Sequence, residues 1–485
     1  MNATRTSLLF SFAEKYTVLL LGIGASMVLS RVLTPAEIGV YSVGAVLVGV
    51  AQVVRDFGVG QYLIQEKVLT MEKIRAALAT SVVVAWLLAA LAWLGAPLLA
   101  HFYREPRLET VLQLLSLNFL LIPFSALTLP FLRRQMRFSA LYAINTSNSV
   151  VNLLVAVSLA LLGWSYLSLA WAAVAGTVAA LLVSLWVRPR ELPWLPGLKG
   201  VRAVLAFGAL STGGGVVDEA GVAAPELIVG KMIDVAAVAI FSKAQGMLAV
   251  FNQAVTSAIS PVLFPLFAAQ ARGGGDVRLA YLSTVSYMTA LAWPFFLFVG
   301  LMALPMVDLL YGAQWHAAVP LIRIMCFSSA LYSMFSMARY LFVATGHVKA
   351  QAQIDAVAVP LRVGAVVLAA PFGLAWVAGA VVLGALARCW ITGRYLRVLA
   401  DVGAAATLRA VRKSLGLSVL SGLAPSLVLL ALPPGPGQLL LPLGLAGAGA
   451  LLGWLGGVLL LKHEIAAEFA LLRRKVCAIA GVAVK

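Results

Sequence analysis

Charge is what this chain of 485 residues has least of: Asp, Glu, Lys and Arg together make up 11% of it, against about 25% in a soluble globular protein. Hydrophobic residues account for 62%, where roughly 45–50% is usual, and the mean hydropathy is +1.00. Such a chain cannot cover itself with a water-facing surface, which excludes a soluble enzyme. The three cysteines, Cys326, Cys389 and Cys477, lie in apolar stretches without metal-like spacing and read as inert packing residues. The four histidines, His101, His316, His347 and His463, fall in loops or at a helix end and form no zinc pattern. A phosphate-cradling loop needs Gly-Lys followed by Ser or Thr. Here Gly213-Gly214-Gly215 runs into Val216 and Gly273-Gly274-Gly275 into Asp276, so neither cradles a nucleotide, and ATP is not the expected direct energy source. No polar segment exceeds about twenty residues, which argues against a membrane polymerase or glycosyltransferase with a long polar loop or catalytic domain.

Long uncharged runs are abundant. Residues 138–187 and 414–461 contain no Asp, Glu, Lys or Arg, and each is long enough for two spans of about 20 residues. The first is broken at Gly163-Trp164-Ser165 and the second at Pro433-Pro434-Gly435-Pro436-Gly437. Extending the count predicts fourteen transmembrane helices in an all-α polytopic membrane protein. The first apolar stretch carries Glu14 and Lys15 and leads into Ser30-Arg31 without a cleavage site, so a span is expected there rather than a removable signal. With both termini cytoplasmic, 26 of the 35 Lys and Arg fall on inner segments. Four, Arg31, Arg104, Arg107 and Lys231, fall outside, as the positive-inside rule requires. The net charge of +17 is therefore mostly topology, and nucleic acid is not an expected partner.

The chain also resembles itself. Leu29 to Thr34 with Tyr41-Ser42 lies over Val229 to Asp234 with Phe241-Ser242, at an offset of 200. Ala140, Ile144, Asn145 and Asn152 lie over Ala350, Ile354, Asp355 and Arg362, at an offset of 210. This maps span 1 onto span 7 and span 5 onto span 11. The organisation read from it is an N-terminal lobe (1–190, helices 1–6), a C-terminal lobe (191–400, helices 7–12), two further helices (401–461) and a tail (462–485). In the tail Ile465, Phe469, Leu472 and Val476 share one face, as in a helix lying on the inner leaflet. Repeat-built transporters bind substrate between their halves and rock around that site.

Ionisable residues inside spans are costly and point to function. Counted from the outer turns at Pro371-Phe372-Gly373 and at Asp234, Arg362, Lys243 and Glu226 lie roughly 12–13 Å deep at 1.5 Å per residue. Asp355 and Arg362, seven residues apart, share one helical face, matched by Asn145 and Asn152 in the first half. Arg31, Lys231 and Arg323 sit nearer the outer ends, and Arg55, Arg339, Asp218 and Glu219 in the inner third. Arg31, Arg323, Arg339 and Arg388 are equally readable as snorkelling residues. The glycine triplet and Pro225 predict that the seventh helix is interrupted or kinked.

Several segments resemble bacterial polysaccharide flippases of the multidrug/oligosaccharidyl-lipid/polysaccharide exporter superfamily. They are Ser30-Arg31-Val32-Leu33-Thr34-Pro35-Ala36-Glu37-Ile38-Gly39-Val40-Tyr41, Asp56 to Gln61, Leu132 to Phe138, Pro261 to Pro265 and Leu310 to Trp315. The resemblance implies two six-helix lobes in a V around a central cavity. It also implies inward-to-outward flipping of undecaprenyl-diphosphate-linked oligosaccharide, driven by an ion gradient, in a bacterial inner membrane. One departure is that family members often carry Asn-Leu-Asp-Arg in the seventh span, where this chain has Ala224-Pro225-Glu226-Leu227. The acid is kept and the cation is not. On this reading Arg362 and Lys243, helped by Arg31, Arg55, Arg323 and Arg339, hold the diphosphate. Glu226, with Asp218, Glu219 or Asp355, takes up a proton or Na⁺, and no other cofactor is expected. Partners are the anionic lipid-linked oligosaccharide, membrane lipids, and a polysaccharide polymerase with its assembly proteins. One alternative within the superfamily is an exporter of another lipid-linked precursor; the other, a multidrug or small-cation exporter, would want an acid-rich cavity, which the mid-membrane balance does not supply.

Overall fold

A computed structural model of the chain describes residues 3–66, 69–432 and 439–466. The proline-rich turn at 433–437, Cys477 and all but the start of the amphipathic tail lie outside them. Every regular element among the described residues is helical. By packing, the chain forms two compact units, residues 1–242 and 243–485. The first contains α1 (Ala3–Val32), α2 (Pro35–Asp56), α3 (Val59–Gln65), α4 (Met71–Tyr103), α5 (Arg107–Leu121), α6 (Thr128–Arg134), α7 (Phe138–Leu161), α8 (Leu167–Trp186) and α9 (Val201–Met232). The division falls within α10 (Val235–Phe251). The second unit holds α11 (Ser257–Arg272), α12 (Val277–Leu301), α13 (Ala303–Leu310), α14 (Ala318–Ser333), α15 (Ala338–Ala344), α16 (Val348–Ala369), α17 (Leu374–Ala400), α18 (Ala404–Ala431) and α19 (Leu440–Leu460). The sequence repeat boundary at 190 describes resemblance between segments, whereas the boundary at 242 describes what packs on what.

Thirteen helical segments among the described residues are long and apolar enough to cross a membrane. Against the fourteen expected, the long helix left out is α9, whose glycine triplet and Asp218, Glu219 and Glu226 dilute its apolar character. It is one continuous helix of 32 residues with Pro225 inside it, so the expected interruption does not occur. A proline removes a single N–H donor from the ladder, and close packing anchors the helix on both sides of the triplet and Pro225. A methyl group on Gly208 would fall 2.2 Å from the Phe57 ring, and one on Gly230 would fall 3.0 Å from Val238. The irregular turn lies elsewhere, as a π-helical stretch at Asn252–Thr256 that follows α10.

The repeat has a physical basis at the helix starts. Thr34 caps α2, its hydroxyl accepting from the Glu37 N–H at 3.3 Å while the Glu37 carboxylate accepts from the Thr34 N–H at 2.7 Å. This is the reciprocal capping box that Thr-Pro-Ala-Glu encodes. At the repeat-related position Asp234 caps α10, accepting from the Ala237 N–H at 2.6 Å. Gly39, in the same opening motif, lets α2 approach the start of α10, since a methyl there would lie 1.8 Å from the Val235 carbonyl oxygen.

The second echo joins α7 and α8 to α16 and α17. Gly176 on α8 receives Asn148 and Asn152 of α7, and Gly384 on α17 receives Arg362 of α16. Both pairs are helical hairpins with a glycine notch facing position 152 or 362. The two last helices dock on α12 through polar anchors: Thr289 donates to the Ser414 hydroxyl at 2.9 Å, and the Trp454 indole donates to the Ala290 carbonyl at 2.8 Å.

Candidate functional site

A cluster of mostly buried charges in the second unit is built on the α16–α17 hairpin. Arg362 lays its aliphatic stem in the Gly384 notch, where a methyl would come within 2.8 Å of its Cγ. Four residues further along α17, one helical turn, Arg388 Nη2 meets Asp355 Oδ1 at 2.6 Å. Gln351 donates to the other carboxylate oxygen at 2.8 Å. Asp355 and Arg388 are both mostly buried. Asp355 and Arg362 thus share the α16 face that their spacing predicts, and both look onto α17. Arg388, readable from sequence as a snorkelling residue, is instead the ion partner of Asp355.

Lys243 goes elsewhere. Its ammonium lies 4.8 Å from the Tyr311 ring centre and 5.3 Å from that of Trp315, two residues in the loop between α13 and α14. Trp315 is fully buried, so the cation rests on a fixed aromatic platform, an attraction strengthened where water is excluded. Lys243 and Arg362 are therefore held by different elements, one by a loop platform and one by a helical notch. In the first unit Glu226 is half-buried on α9 and its carboxylate accepts a hydrogen bond from Ser242. Asp218 and Glu219, on the same helix, are also half-buried, and Glu219 lies two turns before Glu226 on the same face.

The first unit also contains a cavity of about 510 Å³ between the end of α2, α3, α6 and the body of α4, with Thr212 and Gly215 of α9 on one wall. Arg55, Asp56, Gln61 and Arg133 line it among apolar and small residues. Arg55 pairs with its neighbour Asp56. The adjacent arginines of the 132–138 motif divide their work. Arg133 faces the cavity, whereas Arg134 donates to the carbonyls of Leu63 and Glu66, each at 2.7 Å, satisfying the open end of α3. Arg31, Arg323 and Arg339 are exposed along their helices.

Sequence reasoning missed four contributors: Arg388 as a partner, Arg133 in the cavity, the Tyr311–Trp315 platform and Ser242. A signal existed for the first. Asp355 and Arg388 lie 17 and 16 residues from Phe372, the centre of the hairpin turn, so folding the hairpin brings them level.

Residues 28–320, more than half of the chain, match the family model described as polysaccharide biosynthesis protein. The chain belongs to that family. Among relatives, it is 23% identical to the teichuronic acid biosynthesis protein TuaB of Bacillus subtilis over 57% of each chain. It is 22% identical to the lipopolysaccharide biosynthesis protein WzxC of Escherichia coli over 66% of this chain and 65% of that one. The match thus spans about three-fifths of the length of these two family relatives. Among solved structures, the lipid II flippase MurJ in an inward closed conformation shares the fold, with a TM-score of 0.74 over 92% of this chain and 98% of that one at 12% identity. The family chain is thus an all-α, multi-pass membrane protein.

Proposed function

We propose that this protein flips an undecaprenyl-diphosphate-linked oligosaccharide across a bacterial inner membrane for surface polysaccharide assembly, by ion-coupled alternating access. The observation that carries the reading is the set of basic side chains retained within candidate spans: Arg362 in its glycine notch, Lys243 on its aromatic platform and Arg55 beside the first-unit cavity. Such residues are expensive in lipid and are kept for a polar cargo or an internal partner. A diphosphate is an anion that hydrocarbon cannot solvate. Arginine meets it with a planar fork of donors, lysine with a compact point charge. Cations at several places hold the headgroup in turn without trapping it. The teichuronic acid and lipopolysaccharide pathways named for the relatives, and the lipid II named for the structural neighbour, support a lipid-linked cell-surface precursor as the cargo class.

Glu226 is the coupling group in this scheme, with Asp218 and Glu219 on the same helix as its alternates. Its bond from Ser242 holds the carboxyl group in place, and uptake of a proton or Na⁺ at its oxygens would rearrange that contact. Asp355 is assigned a lesser part, because Arg388 and Gln351 already occupy its oxygens. The test is reconstituted flipping of a fluorescent diphosphate-linked lipid oligosaccharide. Arg362→Ala and Lys243→Ala should each slow it at least about tenfold, the loss of one charge-assisted contact, with normal protein level. Full flipping in both variants would refute the anionic cargo. Glu226→Gln should keep lipid binding and lose the response to an imposed pH or Na⁺ gradient. An unchanged response would remove it from coupling.

A further inference from the structure

The segment between α8 and α9, residues 187–200, is rigidly attached yet holds large apolar side chains outward. Leu192 is buried in the first-unit core with Val59, Leu63, Ile74 and Ala77. The Arg188 guanidinium donates to the Phe124 carbonyl at 3.1 Å and the Pro193 carbonyl at 2.7 Å. The Gly197 N–H donates to the Arg75 carbonyl at 3.1 Å. From this fixed base Trp194 is 66% exposed and Leu198 84% exposed. Trp186, the last residue of α8, is 85% exposed. Trp194 stacks on Arg188 with 4.0 Å between guanidinium carbon and ring centre.

Beside these side chains lies a recess of about 310 Å³ lined by Gln135, Arg137, Trp186, Arg188, Arg190 and Glu191, with Val187 and Pro189 completing the wall. Arg137 and Arg190 are exposed, and three guanidinium groups against one carboxylate leave the recess positive. Tryptophans and leucines held outward at the end of a span belong at the boundary between hydrocarbon and headgroups. Arginines at the same level select the phosphate of that layer.

We propose that this segment is a docking site for the phosphate headgroup of an anionic phospholipid on the membrane face that carries the basic loops. Trp194 and Leu198 enter the acyl boundary, while Arg137 and Arg190 bind the phosphate. The site is separate from the charges assigned to the cargo, and it stands whatever the cargo is.

The test uses the full-length detergent-purified protein, with bound phosphatidylglycerol and phosphatidylcholine counted by native mass spectrometry during lipid titration. Arg137→Gln/Arg190→Gln should weaken phosphatidylglycerol binding about twenty-fivefold, at about fivefold for each basic residue near the surface. Phosphatidylcholine binding should not change. The charge-matched control Arg397→Gln/Arg409→Gln, on the exposed surface of the second unit, should bind as wild type. Trp194→Ser/Leu198→Ser should weaken both lipids. Equal loss in the control pair, or no loss in Arg137→Gln/Arg190→Gln, would overturn the site. Displacement of phosphatidylglycerol by equimolar inorganic phosphate would overturn the lipid as its occupant.

Discussion

The hairpins α7–α8 and α16–α17 have the same plan and opposite chemistry. Each sets a glycine on its second helix against the side chain at the repeat-related position of the first, Gly176 facing Asn152 and Gly384 facing Arg362. One turn or two away, the first hairpin has Asn145, whose amide donates to Glu14 of α1 at 2.6 Å. The second has Asp355, ion-paired with Arg388. Packing is thus inherited by both hairpins, while charge within the hairpin is confined to the second. A glycine notch is a requirement of helix approach and survives divergence. The side chain that fills it is free to become an amide or a cation, so function separates two halves that folding keeps alike.

The sharpest way to break this comparison is to remove one partner from each hairpin. Asp355→Ala leaves the mostly buried Arg388 without its carboxylate, a loss worth about 3–5 kcal/mol. Asn145→Ala forfeits one charge-assisted hydrogen bond, about 1.5–3 kcal/mol. Thermal unfolding of the detergent-solubilised chain should therefore fall further for Asp355→Ala. Asp355→Asn/Arg388→Gln, which gives the second hairpin the neutral character of the first, should recover most of the loss. Equal destabilisation by the two alanines would mean that the ion pair is no stronger a tie than the amide.

Adding a methyl to each notch comes next in size. In Gly176→Ala the new carbon meets the Asn148 carbonyl oxygen at 3.0 Å, and in Gly384→Ala it meets the Arg362 stem at 2.8 Å. Overpacking of this kind costs about 1–3 kcal/mol. The stability losses should be similar, but Gly384→Ala should also slow flipping because it displaces Arg362. A Gly384→Ala protein that flips at the wild-type rate would detach the notch from function.

Much of this arrangement is legible in the sequence. The shared face of Asp355 and Arg362 follows from a seven-residue spacing, and the offset of 210 aligns Asn145 and Asn152 with them. The capping role of Asp234 follows from its place over Thr34. The less legible features depend on which helix is the neighbour. Lys243 meets Tyr311 and Trp315 across about seventy residues of chain, and no periodicity encodes that contact. The continuity of α9 was obscured for a different reason. Glycine and proline weaken a helix in isolation, but the turns on either side of the triplet and Pro225 are anchored by close contacts at Gly208 and Gly230, and the helix runs through between them.

The smallest expected effect concerns the two halves' ion pairs and their exposure to water. Whereas Asp355 and Arg388 lie within spans, the first unit's Glu105 stands in the turn between α4 and α5. There it accepts from Arg107 Nε at 2.7 Å and Nη2 at 2.8 Å. The hydrogen bonds from Arg107 hold the Glu105 carboxyl below its ordinary value, against a smaller opposing effect of burial. A carboxyl depressed in the folded state adds stability above its unfolded pKa of about 4.3, and that stability is lost as pH falls through the lower folded value. Arg107 is part-exposed, so solvent limits the contribution to about 0.5 kcal/mol. Thermal unfolding followed from pH 7 downward should show wild type and Arg107→Gln separated by a small, constant margin above about pH 5. The margin should close below about pH 4 as Glu105 protonates in both states. A margin that widened with acid would mean that Arg107 stabilises the turn through its stem and not through the carboxylate. The part-exposed pair of the first half would then differ from the buried pair of the second in kind as well as in strength.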